Sequence, residues 1–112
     1  MTFAPDEDDL EPPSWMVVKP RIIAFDFDDT ITADPEMVFS FMAMARHRGH
    51  RVICVTARYF TPENKEDLKE VYDRKYPVYF TGHSPKRWYM ESQGVKVDIW
   101  FDDSPEVIVH GV

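Results

Sequence analysis

Four short apolar runs recur along the chain, each closed by polar residues: Ile22–Phe25, Val52–Val55, Pro77–Phe80 and Val97–Phe101, the last admitting one aspartate. They are continuous rather than alternating and rich in β-branched and aromatic side chains, the pattern of strands buried on both faces of a parallel sheet. The stretches between them have helical spacing and helix-start chemistry. Asp34-Pro35-Glu36 offers a capping side chain, a proline for the first helical position and an acid in the first turn. Met37, Phe41, Met44 and Ala45 then recur at helical spacing, flanked by Val38 and Met42, which predicts an inward stripe, and Gly49 stops the helix. Thr61-Pro62-Glu63 opens a charged helix to about Lys75 with Leu68, Val71 and Tyr72 facing inward, and Ser84-Pro85-Lys86 caps a third helix running to Gln93. Glu106–His110 fits either a short fifth strand or one turn of helix. Trp15–Val18 leaves open an edge strand or a continuing tail. Strands alternating with helices in this way predict βαβ units, hence an α/β, Rossmann-like three-layer sandwich around a central parallel sheet.

Charge changes the picture at the N-terminus. The net charge is −7, but residues 1–14 hold five acids and no base, so the remaining 98 residues carry only −2. Residues 1–19 therefore read as an acidic tail, expected to be disordered, ahead of one domain over 20–112. The near-balanced domain lacks the basic footprint of nonspecific nucleic-acid binding. No run of about 18 apolar residues exists to span a membrane, and the acidic N-terminus is unlike a secretory signal. Cys54, alone in an apolar run, reads as a buried reduced thiol. Together these lead to the expectation of a cytoplasmic protein that uses no membrane.

The chemistry gathers at the strand ends. The first run breaks into Asp26, Asp28 and Asp29, followed by Thr30; the second ends at Thr56-Ala57-Arg58; Lys86 follows the third; Asp102-Asp103 closes the fourth. In a parallel sheet these ends share one edge, where open α/β sheets place ligands. Asp26 and Asp28 cannot both be ionised at close range in a weakly polar crevice unless a divalent cation, a shared proton or distinct environments relieve them. Four carboxylates suit a hard cation such as Mg²⁺. A phosphate bridging to that cation would balance the rest, with Thr56 and Lys86 donating to its oxygens. One ionised aspartate can then attack phosphorus, and a second, two residues on, can protonate the leaving group and later activate water. Arg58, beside Thr56, is a candidate phosphate or substrate contact.

This arrangement resembles the haloacid-dehalogenase superfamily of phosphohydrolases over about residues 21–105. D-F-D-D-T at 26–30 is similar to that family's first motif, with Asp29 where glycine is common; V-T-A-R at 55–58 is similar to the second, Lys86 to the third, and Asp102-Asp103 to the fourth. The resemblance implies that Asp26 is nucleophile and metal ligand, and that Asp28 is general acid/base and binds Mg²⁺ through its main-chain carbonyl. It also implies that Asp102 and Asp103 complete the metal site, the latter competing with a role as cap of the Ser104-Pro105 turn. About 25 residues separate the first two motifs, and 30 separate Thr56 from Lys86. Neither gap holds a cap domain, so the expectation is an open site of the small capless type. In that family an open site accompanies large substrates such as polymer ends or proteins; nucleotides, nucleic-acid ends, sugar phosphates and phosphoproteins all stay open as the phosphorylated partner, small or polymeric, as does the oligomeric state. The competing expectation is a catalytically weak or inactive phosphate- or metal-binding module acting as a scaffold. Intact Asp26, Asp28, Thr56, Lys86 and Asp102 argue against it.

Overall fold

The computed structural model describes residues 11–112; most of the acidic tail, residues 1–10, lies outside them. Four parallel strands form the sheet: β1 (Ile22–Phe25), β2 (Arg51–Thr56), β3 (Val78–Phe80) and β4 (Ile99–Phe101), in the spatial order β3-β2-β1-β4. The helices are α1 (Pro35–His47) between β1 and β2, α2 (Pro62–Asp67) and α3 (Lys69–Asp73) between β2 and β3, α4 (Lys86–Ser92) between β3 and β4, and α5 (Glu106–Val109) after β4. This is the expected Rossmann-like α/β sandwich. None of the three connections between consecutive strands holds an inserted domain. No described helix is long and apolar enough to cross a membrane.

The two faces of the sheet bury different side chains because successive strand residues point to opposite sides. Ile23, Phe25, Val52, Cys54 and Phe80 pack with Val38, Phe39 and Met42 of α1, with Val71 of α3, and with Leu68 between α2 and α3. Ala24, Ile53 and Val55 pack on the other face with Met90 of α4 and with Val95. Side chains removed from water as fully as Met42 and Leu68 stabilise by roughly 2 kcal/mol each. Cys54 is buried as expected, and burial pushes its thiol pKa up.

Several elements differ from the sequence expectation, each for a local reason. Asp34 caps α1 by accepting from Met37 N at 3.2 Å, as its side chain suggests. The helix is rotated, however: it buries Val38, Phe39 and Met42, while Met37, Phe41 and Met44 are about half exposed or more. The single helix expected to Lys75 breaks at Leu68 (φ −93°, ψ 13°), whose fully buried side chain anchors the junction. The start of α4 has no side-chain cap; Pro85 occupies the N-cap position. β4 is shorter than expected, because Asp98 brings its side chain into the ladder: its Oδ2 accepts from Ile22 N at 2.8 Å. Two alternatives left open are decided: residues 106–109 take the turn of helix, and Trp15–Val18 is exposed and unpaired with the sheet, with a 3₁₀ turn at Ser14–Met16.

Candidate active site

β1 pairs with β2 on one side and β4 on the other, so the chain reverses direction across the sheet at β1. The carboxyl ends of β1 and β4 flank that switch point, where open sheets leave a crevice. Asp26 and Asp102 directly follow these two strands, and Phe101 O accepts from Asp26 N at 2.8 Å, extending the ladder into the site. A cavity of about 190 Å³ opens there, lined by Asp26, Asp28, Asp102, Asp103, Lys86 and Ala57 among others. A larger hollow of about 350 Å³ lies between α1 and β4, around Phe41, Met44, Ile99 and Phe101. It is almost wholly apolar and contains none of the strand-end aspartates.

Lys86 joins the site at its centre. It is the first residue of α4 and only 1% exposed. Its Nζ donates to Asp26 Oδ1 at 2.8 Å and to Asp102 Oδ2 at 2.6 Å. Asp26 Oδ2 accepts from the Thr30 hydroxyl at 3.3 Å, and Asp102 Oδ1 accepts from Ser104 N at 2.9 Å. The turn before Pro105 is thus capped by Asp102, the alternative role weighed for Asp103, and Asp103 is left exposed. Burial pushes the Asp26 pKa up from 3.8 to about 6; Lys86 opposes this, and Asp102 and Asp103 add to it.

One carboxylate oxygen from each of Asp26, Asp102 and Asp103 lies within 4.8 Å of the others, the one such cluster among the described residues. With Lys86 counted, the trio retains two negative charges, and all its donors are oxygen. That donor set fits one hard divalent cation. The Asp28 carboxylate stands apart from the trio, bonded to Arg58. No family model, no curated protein and no solved structure matches this chain.

The backbone between Asp26 and Thr32 explains how two aspartates two residues apart can face different neighbours. Ile31 N donates to Asp26 O and Thr32 N to Phe27 O, both five residues back, so the chain makes one wide turn. Inside it Asp28 is extended (φ −68°, ψ 127°) and Asp29 is left-handed (φ 59°, ψ 11°), with Thr32 Oγ1 accepting from Asp29 N at 2.8 Å. Left-handed backbone is the conformation glycine adopts freely and aspartate tolerates better than most residues.

The remaining expected residues lie at the same edge but differ in role. Thr56 ends β2 fully buried, and its Oγ1 accepts from Arg58 N at 3.3 Å, bracing the turn rather than lining the cavity. Arg58 is engaged with Asp28, Asn64 and Asp67. Thr30 as a partner of Asp26 was missed in the sequence, although a hydroxyl four residues on, in a chain that turns, was the available signal. Asn64 and Asp67 carried no signal, because their partner is set by tertiary folding.

Proposed function

We propose that the chain is a Mg²⁺-dependent phosphohydrolase of the haloacid-dehalogenase type that cleaves phosphate monoesters through an aspartyl-phosphate on Asp26. What supports this most directly is the buried ammonium of Lys86 held between Asp26 and Asp102 at the sheet's switch point, with Asp103 beside them. Such a group keeps a carboxylate aimed while supplying positive charge for phosphoryl oxygens.

In this reading Asp26 attacks phosphorus, the bond to the ester oxygen breaks, and Asp28 gives that oxygen a proton. Asp28 then takes a proton from water as the water oxygen attacks phosphorus, and the bond to Asp26 breaks to release inorganic phosphate. Lys86 donates to the phosphoryl group throughout, a preorganised donor that need not reorient during reaction. Asp26, Asp102 and Asp103, with the main-chain carbonyl of Asp28, would hold Mg²⁺, which would supply Lewis-acid charge to the site. Thr56 holds the turn that carries Ala57 to the cavity wall.

The test is hydrolysis of p-nitrophenyl phosphate with Mg²⁺. Wild-type protein should turn it over, and chelation or Asp26→Asn should each abolish turnover, since an amide is not a nucleophile. Activity that survives either treatment sinks the reading.

A further inference from the structure

Arg58 lies two residues beyond β2, beside the candidate site, yet it is not among the residues that line the cavity. Nε donates to Asp28 Oδ2 at 2.9 Å and Nη2 to Asp28 Oδ1 at 2.8 Å, a two-armed fork on one carboxylate. Nη1 donates to Asp67 Oδ2 at 2.7 Å and to Asn64 Oδ1 at 3.1 Å. Four of the five guanidinium N–H donors are thereby used. The hydrogen bonds to Asp28 push the Arg58 pKa further up, burial opposes them, and Asp67 adds to the rise. Its planar group also lies over the Phe27 ring, 5.2 Å from the centroid.

The support behind Arg58 is itself fixed. Asn64 donates from Nδ2 to Tyr59 O at 2.8 Å, and its backbone N donates to Thr61 Oγ1 at 3.1 Å, at the capped start of α2. A chain of contacts therefore runs from α2 through Arg58 to Asp28. Asp28 needs such a chain, because its side chain is 49% exposed and a free carboxylate at that exposure samples several rotamers.

We propose that Arg58 is the positioning residue for Asp28: it sets the direction of proton delivery to the leaving group and does not clamp the phosphate. This rests on the phosphohydrolase reading above. To carry a proton, one Asp28 oxygen gives up its arm of the fork while the other arm keeps the orientation. The α2 contacts hold the guanidinium still during that exchange. A bidentate fork is specific to arginine; lysine offers a single point of contact.

Leaving groups separate this role from phosphate binding. An alkyl phosphate must have its departing oxygen protonated, whereas p-nitrophenolate departs readily without a proton. kcat/KM reports only the steps through departure of that group, and so isolates this half of the reaction. With saturating Mg²⁺, Arg58→Met should lower kcat/KM for an alkyl phosphate at least tenfold more than for p-nitrophenyl phosphate. Asp28→Asn should show the same bias, and adding Arg58→Met to it should change little further. Arg58→Lys should fall between. Asp67→Asn, at an exposed position (60%) where folding is not at risk, should give a smaller bias in the same direction. Equal losses on both esters with a raised KM mean that Arg58 binds phosphate, and overturn the proposal. So does a further large loss when Arg58→Met is added to Asp28→Asn, or an unbiased Asp67→Asn. In each of these cases wild-type turnover remains and the phosphohydrolase reading stands; absence of wild-type turnover overturns both.

Discussion

Lys86 Nζ and Asp26 Oδ1 meet at 2.8 Å across sixty residues of sequence, in a site where the lysine side chain is 1% exposed. An ion pair this deep is strongly coupled to folding, because removing one partner strands the other without water. Lys86→Met should therefore destabilise the protein by about 3–5 kcal/mol, measured by urea unfolding in chelator. Mg²⁺ should restore part of that loss by supplying the missing positive charge. Turnover should fall as well, by about 2–4 kcal/mol of transition-state stabilisation. A variant as stable and active as wild type would remove Lys86 from the site.

The raised pKa of Asp26 has a definite sign in stability. Folded Asp26 keeps its proton up to about pH 6, whereas its ordinary value is 3.8, so the folded state binds more protons between these values. Its contribution is complete below about pH 4 and is lost as pH rises through about 6. In chelator, wild-type stability relative to Asp26→Asn should decline with pH across that window. Parallel profiles for the two proteins would contradict the burial argument. Mg²⁺, competing with that proton, should bind more tightly as pH rises through the same range.

Asp29 offers a test of the turn that separates Asp26 from Asp28. At φ 59° a β-branched residue is disfavoured by about 1–2 kcal/mol, while glycine adopts the conformation without strain. Asp29→Val should lower stability by about that amount and Asp29→Gly should be close to neutral, read from thermal unfolding. If valine is tolerated as well as glycine, the turn does not hold Asp29 in the left-handed region.

The cavity of about 190 Å³ is smaller than the 300 Å³ or more of pockets that enclose whole small molecules. On the phosphohydrolase reading it has room for a phosphate group, and the rest of a substrate would stay outside. We expect kcat/KM to favour a terminally phosphorylated oligonucleotide or phosphopeptide over a mononucleotide or sugar phosphate. A tenfold preference for the small ester, about 1.4 kcal/mol, would count against an open site while leaving the catalytic assignment intact.

The sheet and the aspartate stations were legible because each depends on local pattern: an apolar run that stops, and a carboxylate at the stop. The face of α1 was not. Met37, Val38, Phe39, Phe41, Met42 and Met44 spread apolar side chains over more than half of that helix's circumference, so periodicity could not choose which of them meet Phe25 and Cys54. The strand length at β4 failed for another reason, since Asp98 uses its carboxylate as a backbone substitute. Arg58 marks the limit at the site itself. Its proximity to Thr56 in sequence suggested a phosphate contact, but a forked guanidinium goes to the carboxylate that tertiary folding presents, and that is Asp28.

The sheet order also bears on when the site comes into being during folding. β1 registers with β2 about 29 residues away (Ile22 with Arg51), and with β4 only across the longest loop in the sheet, about 76 residues (Phe25 with Phe101). Closing longer loops costs more chain entropy before any contact is gained. Asp26 and Asp102 are thus kept apart until β4 docks, and their repulsion is deferred with them. Lys86 lies on α4, the element next to β4 in the chain, so the cation that offsets this repulsion and the carboxylates that cause it are carried on neighbouring elements.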